Sequence, residues 1–82
     1  MKIRSKAVGT ANMVGQNIER LRKQKNIKQK DFIARLQALG VDINPTSYSK
    51  LEGQSRIATD REIFAAAKIL EVDVNSLFEE WK

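Results

Sequence analysis

The chain contains no cysteine and no histidine among its 82 residues. The first absence excludes a disulfide framework, a thiolate metal site and a thiol nucleophile. The second removes the commonest metal ligand and the commonest general base near neutral pH. Carboxylates are present but nowhere concentrated, so metal or acid–base chemistry built on them alone has no obvious seat. Long apolar runs are missing too. The longest, Ile63 to Ala67, falls far short of the ~20 residues of a membrane-spanning helix. The opening Met1-Lys2-Ile3-Arg4-Ser5-Lys6-Ala7-Val8 has a basic lead without the apolar stretch of a secretory signal. These absences predict a cytoplasmic protein that is not an enzyme, with no metal, no cofactor, no membrane and no small-molecule ligand. The length allows one domain, with a thin core that buries roughly 60% of the unfolded surface.

What is present is positive charge, unevenly placed. The net charge is +5. Residues 1–30 carry nine basic side chains (Lys2, Arg4, Lys6, Arg20, Arg22, Lys23, Lys25, Lys28, Lys30) against the single acid Glu19. Residues 31–82 carry six basic and nine acidic ones. A one-sided basic cluster suits a polyanion. Solvated helix faces and a loose basic arm account for the same charges, so charge alone does not decide between them.

Residues 1–12 show no sustained apolar period and predict a flexible basic arm, with the folded domain spanning 13–82. Val14, Ile18 and Leu21 recur at helical spacing and predict a first helix over about 13–25. Phe32, Leu36 and Leu39, with Ile33 beside them, predict a second over about 28–39, and Gly40 suits the position after its end. A short linker follows, with Ile43 as its buried aliphatic. Asn44-Pro45 is the sharpest local signal: Asn is a preferred N-cap, and Pro fits the first helical position because its missing N–H would be unpaired there anyway. A third helix runs from Pro45 to about Glu52, with Tyr48 and Leu51 inward, Thr46, Ser47, Ser49 and Lys50 outward, and Gly53 as its stop. Ile57 is the expected anchor of the next loop. Thr59-Asp60-Arg61-Glu62 matches a capping box for a fourth helix over about 60–70. Asp73 or Asn75 caps a short last helix over about 74–81. Phe32, Phe64, Phe78 and Trp81 are expected in the core, with Leu77, Phe78 and Trp81 also able to form a dimer surface. The sum is an all-α domain of five helices.

The outward side chains of the third helix are small, hydroxylated or cationic. Such a helix can enter a major groove: small residues let the backbone approach, and hydroxyls and Lys reach base edges or phosphates. Read alone, Thr46 and Ser47 serve equally well as first-turn polarity for the cap.

The order of the pieces resembles the Cro/phage-repressor helix-turn-helix family (Xre-like regulators) over about residues 14–79. The matching pieces are Ile18-x-x-Leu21-Arg22, Lys28-Gln29-Lys30-Asp31-Phe32-Ile33-Ala34-Arg35-Leu36, Tyr48-Ser49-Lys50-Leu51-Glu52, Arg56, and the tail from Ile63 to Phe78. The resemblance implies a compact lambda-repressor-like fold with helices two and three as the helix-turn-helix. It implies base reading by Asn44, Thr46, Ser47, Ser49 and Lys50, and phosphate contacts from Gln29 and Arg56. Lys28 and Lys30 flank a helix N-terminus whose dipole also favours an anion. Glu52 is expected to brace the third helix or an Arg.

Two features depart from the family pattern. About five extra residues, roughly Gln37 to Val41, separate helix two from helix three, which predicts a longer helix two and a wider loop. Pro45 stands where a base-reading polar residue is common, and the family's glycine after the recognition helix is shifted to Gly53.

The leading functional expectation is a transcriptional repressor that binds double-stranded DNA sequence-specifically, as a homodimer on a palindrome, in a bacterial or phage-type, nucleoid-associated setting. The alternative is a protein-interaction module, such as an antitoxin, that holds a partner protein through Leu77, Phe78 and Trp81.

Overall fold

The computed structural model describes residues 10–79. They form four α-helices, α1 (Gly15–Gln24), α2 (Gln29–Ala38), α3 (Pro45–Glu52) and α4 (Asp60–Leu70), followed by a 3₁₀ turn, Val74–Phe78. No strand occurs among the described residues. The expected fifth helix is, within that range, only this turn. Residues 80–82, including Trp81, and residues 1–9 of the expected arm lie outside the described residues.

The helix starts follow their side-chain caps. Asn44 Oδ1 accepts from the Ser47 amide at 2.8 Å, with Pro45 as the first residue of α3. Thr59 and Glu62 form the reciprocal capping box of α4, at 3.1 and 2.9 Å. At α1 the Asn12 carboxamide oxygen takes the Val14 and Gly15 amides. Packing therefore reaches further toward the N-terminus than the expected arm boundary allows.

The helix ends share one device. After α1, α2, α3 and α4 the amides of Ile27, Val41, Ser55 and Val72 reach back to the carbonyls of Arg22, Leu36, Lys50 and Ala67. The residue before each is left-handed: Asn26 (φ 58°), Gly40 (φ 90°), Gln54 (φ 60°) and Glu71 (φ 58°). This is the Schellman arrangement, and only Gly40 is the residue that adopts it without steric cost. Gly53 is not the left-handed residue after α3: its φ is −77°, and Gln54 takes that role.

The core gathers one stripe from each helix around Ile18, Phe32, Leu36, Tyr48, Leu51, Leu70 and Leu77. The Phe32 and Tyr48 rings meet at 5.6 Å with a 43° tilt, within the range of favourable aromatic pairs. In the α2–α3 linker Val41 is buried as well as Ile43.

Four residues expected to face inward are not in the core; the first, Leu39 just past the end of α2, is 48% exposed. Ile57 is 72% exposed, because Arg56 rather than Ile57 turns inward at that loop. Phe64 is 61% exposed. The buried face of α4 is made by Ala65, Ala66, Ala67 and Leu70, small residues that let the helix axis come close, and Phe64 lies about 160° around the helix from Ala66. Phe78 is also exposed, at the end of the 3₁₀ turn.

Candidate nucleic-acid interface

The inner side of α3 carries a buried polar network. Glu52 lies below the surface with Arg22 of α1, and Arg22 Nε donates to its Oε2 at 2.7 Å. Arg22 Nη2, Gln29 Nε2 and the Tyr48 hydroxyl also donate to this carboxylate, so one buried acid receives four hydrogen bonds from three helices. Arg22 Nη1 donates in turn to the Ile27 carbonyl at 2.8 Å. A buried charge is tolerated only when it is paired and hydrogen-bonded, which this network achieves. Burial alone lowers the Arg22 pKa, and the hydrogen bond and charge of Glu52 more than reverse it, leaving it raised. Burial, then the hydrogen bond to Glu52, pushes the Tyr48 hydroxyl up, so it remains a donor.

Two further ties fix the same helix. Arg56 Nε donates to the Ser47 carbonyl at 3.0 Å, while its two Nη atoms hold both Glu62 oxygens at 2.9 and 2.8 Å. Burial raises the Glu62 pKa, but the Arg56 hydrogen bonds and the Thr59 amide outweigh it and hold the carboxyl below its ordinary value. At the other end, Asn12 Nδ2 donates to the carbonyls of Leu51 and Arg56, and buried Gln54 donates to the Asn12 carbonyl. Gly15 permits this seam: a Cβ there would lie 2.1 Å from the Leu51 carbonyl oxygen and 2.8 Å from that of Glu52. The C-terminal end of α3 is therefore pressed against the start of α1.

The outer side of α3 is the opposite. Thr46, Ser49 and Lys50 are exposed, Ser47 is half-buried, and Asn44 is exposed with its carboxamide oxygen occupied by the cap. Lys50 makes no ion pair among the described residues. Beside it, the start of α2 exposes Lys28, Gln29 and Lys30, also without ion pairs, together with Asp31. Lys28 provides no side-chain cap, so the first-turn amides of α2 are left without a capping acceptor, and a helix start of that kind favours an anion. The Gln29 amide bridges the two helices through its 2.9 Å bond to Glu52, which holds the α2 start against the α3 end.

The expected site residues therefore divide. Asn44, Thr46, Ser47, Ser49 and Lys50 share one helix start and its outward face, and Lys28, Gln29 and Lys30 stand at the neighbouring helix start. Arg56 is different: four of its donor contacts go to Ser47, Ile57 and Glu62, which makes it a strut behind α3. Arg22 likewise leaves the exposed basic cluster for the interior. Lys23 pairs with Glu19 at 3.1 Å on the surface of α1. Of the expected dimer residues, Leu77 is fully buried, because the Asn17 carboxamide binds its carbonyl and that of Glu79 and draws the turn inward.

Glu52 takes the bracing role expected of it, against Arg22, whereas Asn17, Arg22, Asn12 and Gln54 were not expected in structural roles, although signals existed for the first two. Asn17 stands three residues after Val14 and four before Leu21, on the inward stripe. Arg22 follows Ile18 by four, and Glu52 follows Tyr48 by four, so opposite charges occupied two inward positions. Asn12 and Gln54 had no such pattern, because their partners are distant in sequence.

Among the described residues no group of His, Cys, Asp and Glu could hold a metal ion, and no helix is long and apolar enough to cross a membrane. No protein-family model matches the chain, and no match is found among curated proteins or solved structures.

Proposed function

We propose that the chain is a sequence-specific double-stranded DNA-binding transcriptional regulator, a repressor with a lambda-repressor-like helix-turn-helix in α2 and α3. The observation that carries this reading is the contrast across α3. A helix of eight residues is held from behind by a buried carboxylate network, and its front is small, polar, cationic and unpaired. Rigid support behind a polar outer face is what base readout needs, because misplaced donors lose their hydrogen bonds.

In this reading the outer face of α3 lies in the major groove. Thr46, Ser49 and Lys50 reach base edges, with Asn44 and Ser47 at the leading end. Lys28, Gln29 and Lys30 contact phosphates and set the register. Arg56 acts by holding α3 rather than by touching DNA. One copy offers a small interface, so tight binding calls for a homodimer on an inverted repeat with half-sites about one helical turn apart.

Selection from a randomised duplex library at near-physiological salt tests the proposal. The expected result is an enriched inverted repeat, with affinity that falls steeply as salt rises, by a log–log slope of about −0.9 per phosphate contacted. Weak, sequence-indifferent retention would reduce the basic face to nonspecific attraction and remove the regulatory function.

A further inference from the structure

A second surface lies at the far end of α2, about 14 Å along the helix from Gln29. There Leu39, Val41, Phe64, Ala65 and Ile69 line two depressions of about 250 and 320 Å³ that share Leu39 and Lys68. Phe64 is 61% exposed and Leu39 48%, side by side at this end of the molecule. The rim is of one sign. Arg35, Arg61 and Lys68 border the depressions, no acidic side chain lines either, and none of the three makes an ion pair among the described residues. Lys68 Nζ stands 5.7 Å from the centre of the Phe64 ring, so a cation and an aromatic face are presented together.

We propose that this groove docks an acidic amphipathic helix of a partner protein. Each depression is near or below the ~300 Å³ at which pockets begin to enclose small ligands, and suits a single large side chain. Two apolar residues one turn apart on the partner seat against Leu39 and Phe64, and Asp or Glu beside them meets Arg35, Arg61 and Lys68. Helix-in-groove recognition uses this pattern of anchors. The basic rim sets the sign of the partner's charge. The apolar floor excludes a phosphate backbone as occupant, since burying phosphates on Leu39 and Phe64 would desolvate them without pairing. The site is separate from the outer face of α3 and does not depend on what α3 binds.

The test uses the ¹⁵N-labelled full chain and three synthetic helical peptides. One carries Leu and Phe four residues apart, flanked by Glu. The second replaces each Glu by Lys, and the third replaces the Leu and Phe by Ala. The expected result is saturable binding of the first, with amide shifts centred on Leu39, Phe64 and Lys68, and at least tenfold weaker binding of the other two. Phe64→Ser should weaken the first peptide at least tenfold. The double change Arg61→Glu and Lys68→Glu should switch preference to the Lys peptide; these positions are exposed, so a native amide spectrum is expected for each variant. No binding, equal binding of acidic and basic peptides, or shifts confined to α3 would overturn the proposal. So would loss of duplex DNA affinity in Phe64→Ser, or dissociation of a homodimer by that substitution in sedimentation, which would assign the groove to DNA or to a second copy.

Discussion

The two sides of α3 are built from similar residue types and put to opposite use. Inside, a charged residue, an aromatic hydroxyl and a neighbouring amide are saturated with partners: Glu52 accepts from Arg22, Gln29 and Tyr48. Outside, Lys50 and the hydroxyls of Thr46 and Ser49 are exposed. Polarity alone does not mark a binding face. What distinguishes the outer side is that its donors have no internal work. The difference also implies a separation of effects: substitutions inside should change stability, and substitutions outside should change only what is bound.

The largest stability loss is expected for Glu52→Ala. It leaves Arg22 buried without its counter-ion, and breaking such a pair costs about 3–5 kcal/mol, a large share of the ~5–15 kcal/mol that holds a domain together. Urea denaturation would measure it; a loss within about 0.5 kcal/mol would mean that the inner network does not hold α3. Gly15→Ala should come next, at about 3 kcal/mol, near the top of the range for overpacking, because the new methyl meets backbone rather than a movable side chain.

The Arg56–Glu62 strut should be worth less and should be visible in its pH dependence. The Glu62 pKa is lowered on folding, so the strut's contribution is fully present above the unfolded value near 4.5 and fades as pH falls through the folded value. Glu62→Gln should be destabilised by roughly 1–3 kcal/mol at neutral pH, with the gap to the parent chain narrowing in acid. A gap that widened in acid would contradict the sign. Gln29→Ala should weaken binding to all duplexes alike if, as proposed, Gln29 contacts phosphate while bracing Glu52; an altered base preference without a general loss would move it to the reading surface. The smallest effect should be a gain. Glu71→Gly relieves a left-handed residue after α4 and should add about 1 kcal/mol, or roughly 4–8 °C in melting temperature.

Local signals carried the helix positions. Asn44-Pro45 and the Thr59–Glu62 box act within one turn, so the starts of α3 and α4 fall where the sequence places them. The outward set on α3 was legible for the same reason, since two inward residues, Tyr48 and Leu51, determine the face of a helix this short. Long-range packing was not legible. Whether Phe64 or the alanines beside it face the core depends on how closely α4 approaches α1 and α2, and periodicity does not contain that distance. The left-handed stop after α3 was misplaced to Gly53 because glycine is the cheaper residue, whereas Gln54 is held there by its bond to Asn12. Arg56 carried the right charge for a phosphate contact, and only Glu62, six residues away and inward, shows why it turns back.

The most direct test of the account combines Thr46→Ala with Lys50→Ala and compares binding to the selected duplex and to a scrambled one, alongside thermal unfolding. The account predicts that the preference for the selected duplex collapses, each lost base contact being worth about 1–3 kcal/mol, while the melting temperature stays unchanged. Preference that survives the double substitution in a folded protein would place the reading surface elsewhere and contradict the assignment of α3.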